Sequence, residues 1–320
     1  MTVGQSVIPL IDVSPFTIKG ASEAEKEKVV AQVRDACRKY GFFQIVGHGI
    51  ASELQAKVLE CAKTFFDLSA EEKQKVGMEH AIGESNRGFE VIGGQKLQYD
   101  AFPDLKEGIY FGAEIDNDDP RAGTFLQGPN LWPEELPEKE FRMPIMEYHE
   151  KLLDLSQAIL QILALGLPYP PDIFDEITKS AAGTVKLLHY PPQRSTDLQQ
   201  LGAGAHTDFG SITLLLQQPD QTGLEVFYPP SKSWIPVPAV PGRYIVNIGD
   251  LLDGWTRGEY RSAVHRVINK TDHHRYSVPF FYDGNLSYKL RPLDGTSDEM
   301  AMTVEEHLRK KWSQSYSIKQ

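Results

Sequence analysis

The chain has 320 residues, 41% hydrophobic and 24% charged, enough to bury a substantial core in one large domain or two small ones. A formal net charge of −11, with no long Lys/Arg run, argues against nonspecific binding to nucleic acid or to an anionic membrane surface. Two cysteines, Cys37 and Cys61, do not make a disulfide framework, and no basic-then-apolar leader opens the chain, so a soluble cytoplasmic protein is expected.

Val7 to Ile11 reads as a short buried strand. Ser22 then precedes Glu23 to Tyr40, where Val29, Val33, Ala36 and Cys37 recur at helical spacing, so a capped amphipathic helix is predicted. Gly41 ends it and FFQIV begins a second strand. A further helix is predicted over Ser52 to Phe66, and Ser69-Ala-Glu-Glu72 has the form of a capping box for another short one. Residues 80 to 135 are rich in Gly, Pro, Asp and Asn; strands, turns and a mobile loop are expected there, with Asp116 to Arg121 exposed. Ile145, Tyr148, Leu152, Leu155, Ile159 and Leu163 predict one long helix across Pro133 to Leu165. The most apolar window, Ile159 to Leu167, is too short to span a bilayer. From Thr184 to about Leu290 short β-rich runs alternate with turns, and Thr303 to Trp312 reads as a closing amphipathic helix. No repeat or linker divides the chain. One domain over 1–320 is expected, with a helix-and-strand region over 1–130 and a β core over 184–290.

Three motifs in the β core carry chemistry. His206-Thr-Asp208 comes first, His265 follows in AVHRV, and Arg275-Tyr-Ser277 comes soon after. Residues i and i+2 of a strand project from one face, so His206 and Asp208 can meet one metal ion. A histidine from another strand would complete a two-histidine, one-carboxylate face with positions left open, the arrangement of a non-haem Fe(II) oxygenase. The set lacks thiolate, which favours Fe(II) over zinc. With nine histidines in the chain a lone His-x-Asp says little; the ordered set says much more.

The resemblance extends beyond these residues. VIPLIDVSPF, CRKYGFFQIVGHGI, FFDLSAEEKQKV and SNRGF in the first half, then LLHYPP, HTDFGSITLLLQ, GLEVF, IVNIGDLL, SAVHRVI and RYSVPFFY, follow a family order. The chain resembles the isopenicillin N synthase-like branch of the Fe(II)/2-oxoglutarate-dependent dioxygenases. That resemblance implies an all-β core with helices (α+β): a double-stranded β-helix, or distorted jelly-roll, braced by N-terminal and central helices. It implies Fe(II) held by His206, Asp208 and His265 as the catalytic centre, and 2-oxoglutarate held through its distal carboxylate by Arg275, Ser277 and Tyr190. With O2, it implies oxidation of an unactivated C–H bond of a small molecule, most simply hydroxylation, with release of succinate and CO2. LLHYPP, SNRGF, HTDFGSITLLLQ and GDLLDGW are similar to microbial thymine dioxygenases and fungal tailoring oxygenases. Two departures stand out: Leu188 and Arg257 occupy positions where the family often carries asparagine.

Candidates for the primary substrate are Lys186 and Leu188, which alternate onto the face of Tyr190, with Arg87 in SNRGF and Phe281 on the Arg275/Ser277 face. A structural ion pair of Arg87 with Glu107 competes with that role. Tyr110, Phe111, Leu252 and Trp255 are weaker candidates. His273 and His274 are expected in solvent, and His48 hydrogen-bonded in a turn. Two rival readings stay open: an Fe(II) oxidase of this fold that consumes no 2-oxoglutarate, and a non-catalytic small-molecule-binding protein.

Overall fold

The computed structural model describes residues 8–193, 197, 199–295 and 302–316. The chain opens with strand β1 (Leu10–Asp12), a helical turn α1 (Ser14–Thr17) and helix α2 (Glu23–Lys39). The predicted first strand thus begins three residues late; Val7 lies outside the described residues. α2 forms as expected. Ser22 Oγ accepts from Glu25 N while Glu25 reaches back to Ser22 N, and Val29, Val33, Ala36 and Cys37 are buried. Strand β2 (Phe42–Val46), α3 (Ser52–Phe66), α4 (Ala70–Gln74), β3 (Gly88–Glu90) and β4 (Glu107–Phe111) follow.

The long central helix α5 spans Arg142–Leu165, nine residues shorter than expected. Pro133 and Pro137 explain the difference. Both carbonyls accept turn hydrogen bonds, from Leu136 N and from Glu140 N and Phe141 N, so the chain folds back before the helix starts. After α6 (Asp175–Thr178) the β core runs through β5 (Ala182–Tyr190), β6 (Ala203–His206), β7 (Ile212–Gln217), β8 (Leu224–Tyr228), β9 (Ser233–Pro236), β10 (Tyr244–Ile248), α7 (Asp250–Trp255), β11 (His265–Val267) and β12 (Arg275–Gly284). Helix α8 (Val304–Tyr316) closes it.

Two sheets form the jelly-roll. The larger has the order β1-β2-β10-β7-β12-β5-β4-β3, the smaller β6-β11-β8-β9. β1 pairs with β2 in parallel, and the other ladders of the larger sheet are antiparallel. The N-terminal strands therefore complete both edges of a sheet whose centre belongs to the β core.

Alternation sorts the larger sheet's side chains. Val185 and Leu187 of β5, Val278 and Phe280 of β12, and Leu214 of β7 join the main core beneath α2, α3 and α5. Their neighbours Lys186, Leu188, Tyr190, Arg275, Ser277 and Thr213 face a cavity on the opposite side. A second, smaller core lies there, in which Leu188 and Tyr190 meet Phe42, Leu224 and Val267. Among the described residues no helix is long and apolar enough to cross a membrane.

Candidate active site

The two histidines meet because their strands pair. His206 on β6 and His265 on β11 are cross-strand partners in an antiparallel ladder, with ring centroids 4.3 Å apart. Each ring is fixed through Nδ1, which lies 2.7 Å from the Gly204 carbonyl in His206 and 3.1 Å from the Ala263 carbonyl in His265. An Nδ1–H donated to those carbonyls leaves both Nε2 lone pairs directed at the third residue. Asp208 Oδ1 lies 3.7 Å from each Nε2.

Asp208 reaches that position by a route the motif does not reveal. β6 ends at His206, so Asp208 sits in the turn beyond the strand and not on a shared strand face. The larger sheet aims it instead. Thr213 Oγ1 on β7 and Asn247 Nδ2 on β10 each donate to Asp208 Oδ2 at 2.6 Å, which leaves Oδ1 for the histidines. The cluster is thus a joint product of both sheets. Asn247, the one strongly polar residue in YIVNI, and Thr213, in ITLLLQ, were the available signals of a buried polar task in an apolar strand.

Charge follows from this packing. Burial, and then neighbouring His265, hold the His206 imidazole below its ordinary value, so the ring is neutral. Burial pushes the Asp208 carboxyl up, but His265, His206 and the Thr213 and Asn247 hydrogen bonds outweigh it and keep the group ionised. Two imidazole nitrogens and one carboxylate oxygen lie within 4.8 Å of one another. That donor set, with no thiolate and three ligands only, suits a divalent metal with open positions.

The cavity beside the cluster has a volume of about 170 Å³. One wall carries Arg275, 1% exposed and in register with Tyr190 on β5, whose ring centroid lies 4.9 Å from the guanidinium carbon. Arg275 Nη2 donates to Gln217 Oε1 at 3.1 Å, while Nε and Nη1 have no partner. Burial lowers the guanidinium pKa and Tyr190 acts against it, yet arginine stays charged. A buried cation with two idle donors is costly unless an anion meets it. A carboxylate matches that fork. Ser277, two residues along β12, lines the same cavity.

Lys186, Leu188 and Phe281 also line it. Lys186 belongs to a buried group that spans three adjacent strands. Its Nζ donates to Tyr110 Oη on β4 and lies 3.3 Å from Glu90 Oε2 on β3, and Tyr110 Oη donates to Glu90 at 2.8 Å. Burial lowers the Lys186 ammonium to about 8, with Glu90 opposing and Lys106 adding to the shift. Tyr110 is therefore placed at the cavity, as is Lys106, and no local sequence pattern marks Glu90, Asp104 or Lys106 for this group. Asp104 pairs with Lys106 and accepts from Gly204 N at 3.0 Å; Gln98 accepts from Ala205 N at 3.0 Å. These side chains cover the free edge of β6 in place of another strand.

Other candidates lie elsewhere. Asn86 lines the cavity and Arg87 does not. Asn86 takes a left-handed backbone (φ +54°), which turns the next side chain inward, where Arg87 donates to the Ser85 and Leu126 carbonyls at 3.0 and 2.7 Å. Nor does Arg87 pair with Glu107, whose carboxylate holds Lys73 Nζ at 2.9 Å and His189 Nδ1 at 2.8 Å. Phe111 faces the helices and stacks on Trp132 at 4.5 Å. Leu252 is in the main core, and Trp255 packs on Phe174 at 5.0 Å and donates to the Arg291 carbonyl. His48 makes the expected turn contacts, to Ile50 N and the Gly242 carbonyl. His273 is exposed; His274 is exposed too but stacks on buried His189, with a 2.6 Å contact between Nδ1 and Nε2.

Comparison with known proteins agrees with this geometry. The family described as non-haem dioxygenase in morphine synthesis N-terminal matches residues 8–135, and the 2OG-Fe(II) oxygenase superfamily matches residues 182–284. The 2-oxoglutarate-dependent dioxygenase tropC of Talaromyces stipitatus is 47% identical over 312 residues, covering 96% of this chain and 95% of that protein. The 2-oxoglutarate-dependent dioxygenase caaD of Aspergillus niger is 43% identical over 318 residues, covering 99% and 96%. A full-length Neurospora crassa protein, crystallised in complex with alpha-KG and thymine, superposes with a TM-score of 0.83 at 26% identity, covering 99% of both chains. Sequence likeness of this degree over nearly the whole length leaves one assignment: the chain belongs to the Fe(II)- and 2-oxoglutarate-dependent dioxygenases.

Proposed function

We propose that the enzyme hydroxylates an unactivated C–H bond of a small organic molecule, with His206, Asp208 and His265 holding Fe(II) and with Arg275, Ser277 and Tyr190 receiving the distal carboxylate of 2-oxoglutarate. When bound, Fe(II) and 2-oxoglutarate supply, with O2, an oxidative decarboxylation that yields succinate and CO2 and places one oxygen atom in the substrate. The observation that carries the residue assignment is Arg275: a buried guanidinium with two unpartnered nitrogens, Nε and Nη1, in the cavity that the His/Asp cluster also lines.

The chain's own groups orient and exclude. The Nδ1 contacts fix both imidazoles, and Thr213 with Asn247 fixes the carboxylate, so the ligand atoms need not reorganise when metal enters. The small core around Leu188, Tyr190, Leu224 and Val267 keeps water from the Arg275 end and strengthens its attraction for a carboxylate. Lys186 offers a cation, and Leu188 and Phe281 apolar contact, to the primary substrate. The Neurospora crassa complexes with thymine and with 5-formyluracil support a substrate of that size class.

The net charge of −11 supports a small molecule over nucleic acid as partner. Buried free thiols at Cys37 and Cys61 suit a reducing cytoplasm. The larger sheet, which draws strands from both the N-terminal region and the β core, supports a single domain.

An anaerobic titration tests the assignment. Apo-protein is given Fe(II) and then 2-oxoglutarate while the visible charge-transfer band of a chelated 2-oxo acid is followed. Wild type is expected to show the band, His265→Ala to lose it, and Arg275→Ala to need roughly 100-fold more 2-oxoglutarate, as for a buried charge pair worth about 3 kcal/mol. Unchanged 2-oxoglutarate affinity in Arg275→Ala would overturn the co-substrate assignment.

A further inference from the structure

Helix α8 presents three faces, each with residues four apart. Leu308 and Trp312 line the cavity. Glu305 and Arg309 pair, and Arg309 reaches Glu84 through hydrogen bonds of 2.8 and 2.6 Å, which ties the helix to the 84–125 segment. His307 and Lys311 turn to the 207–210 turn that bears Asp208. His307 Nε2 lies 3.0 Å from the Phe209 carbonyl, so its Nε2–H tautomer donates there. Lys311 Nζ donates to Asp250 Oδ2 at 2.6 Å, and the same oxygen accepts from Thr207 Oγ1 at 3.0 Å.

The turn is clamped from its other side by the start of α7. Asp250 N donates to the Asp208 carbonyl at 2.8 Å and Leu251 N to the Phe209 carbonyl at 3.3 Å. Space is tight as well: a Cβ at Gly249 would stand 2.0 Å from the Gly210 carbonyl oxygen. The two α8 contacts therefore act on the residue before Asp208 and the residue after it. Because the turn and not a strand delivers Asp208, its backbone is held by these contacts in place of a strand ladder.

We infer that His307 and Lys311 are positioning residues for the metal: by gripping Phe209 directly and Thr207 through Asp250, these two side chains set the turn that carries Asp208. The helix that supplies Leu308 and Trp312 to the substrate chamber thereby also sets the metal turn. The inference rests on the proposed role of Asp208 as a metal ligand. Groups hydrogen-bonded to a ligand change metal affinity by about 10- to 100-fold when removed, and His307 and Lys311, which hold the residues on either side of Asp208, are expected at the lower end of that range.

The test is the Fe(II) dissociation constant of the full chain, measured anaerobically with 2-oxoglutarate present and read from the visible band. Lys311→Met and His307→Leu are expected to bind Fe(II) about tenfold more weakly. Lys311→Arg and His307→Gln keep a donor and are expected to restore affinity. Arg309→Met, which frees α8 from Glu84 but leaves the metal turn alone, is expected to lower thermal stability while Fe(II) affinity stays at the wild-type value. Wild-type affinity in Lys311→Met and His307→Leu, or an equal loss in Arg309→Met, would reduce α8 to a general brace and overturn the inference. Failure of wild type itself to bind Fe(II) would instead remove the reading beneath it, and that arm is visible separately.

Discussion

The two faces of the eight-stranded sheet are built from the same strands and bury different groups, mainly apolar side chains beneath the helices and more charge toward the cavity. Beneath the helices, Val185, Leu187, Val278 and Phe280 are fully buried and apolar, with no polar atom to satisfy. One residue along each strand, the cavity face carries Lys186, Arg275 and Asp283, each less than a tenth exposed. Apolar burial stabilises by roughly 25 cal/mol per Å², whereas each desolvated charge costs several kcal/mol unless it is paired. The helix face contributes much of the apolar burial, and the cavity face spends part of that stability on buried charge: Lys186 is met by Glu90 and Tyr110, whereas Arg275 Nε and Nη1 have no partner. A change of one position in sequence should then exchange a stability phenotype for a functional one.

Phe280 and Phe281 give the largest contrast. Phe280 is fully buried and meets His149 edge-on at 5.5 Å, so Phe280→Ala is expected to cost about 3–5 kcal/mol in urea unfolding. Phe281 lines the cavity and keeps partial exposure; Phe281→Ala should cost less than about 1.5 kcal/mol while raising the substrate KM. Equal stability losses at the two positions would break the division of labour between the faces.

Asp283 tests the charged side of the comparison. Burial, and then the nearby Asp208 carboxylate, push its carboxyl up to about 7, against an unfolded value near 3.9. Between those values the folded apo-protein holds a proton that the unfolded chain has released, so this group's contribution to stability declines as pH rises from about 4 to 7. Asparagine cannot ionise. Asp283→Asn should therefore stabilise the metal-free protein more at pH 8 than at pH 5, by on the order of 2 kcal/mol. Thermal unfolding in a chelator at the two pH values measures it, and a pH-independent increment would refute the buried-acid account.

What sequence reveals of such a molecule is local and ordered. The N-cap at Ser22, the capping box at Ser69 and the period-two alternation through RYSVPFFY place helices and strand faces as the structure has them, because each depends on residues within a few positions. The order His206, Asp208, His265, Arg275 points to the candidate site through its arrangement and not through any one residue, and the first three do offer ligand atoms within 4.8 Å of one another. What stayed hidden depends on pairing over distance. Asp208 is aimed by Asn247, 39 residues away, and Lys186 meets Glu90 across 96 residues through the β3-β4-β5 ladder. Arg87 departs from the expected position for a different reason. A single left-handed residue, Asn86, exchanges which of two neighbours faces the cavity, and no periodicity records that exchange.

The finest comparison is between adjacent leucines on β5. Leu187 is fully buried beneath the helices; Leu188 is 6% exposed, faces the cavity, and pairs across the ladder with Ser277. Leu187→Asn would bury an unsatisfied amide among apolar side chains and is expected to cost about 4 kcal/mol, as transfer plus cavity terms of that size require. At position 188 the amide can reach cavity water or a bound carboxylate, so Leu188→Asn should cost only about 1 kcal/mol. It also introduces the asparagine that the family resemblance places at this position, opposite Ser277 on the cavity face. A net hydrogen bond of about 1 kcal/mol corresponds to roughly a fivefold lower KM for 2-oxoglutarate, measurable from succinate release. A stability loss without that gain would mean that Leu188 serves as part of the dry wall that strengthens Arg275. The proposed role of Arg275 in holding a carboxylate would then rest on apolar neighbours more than on additional polar contacts.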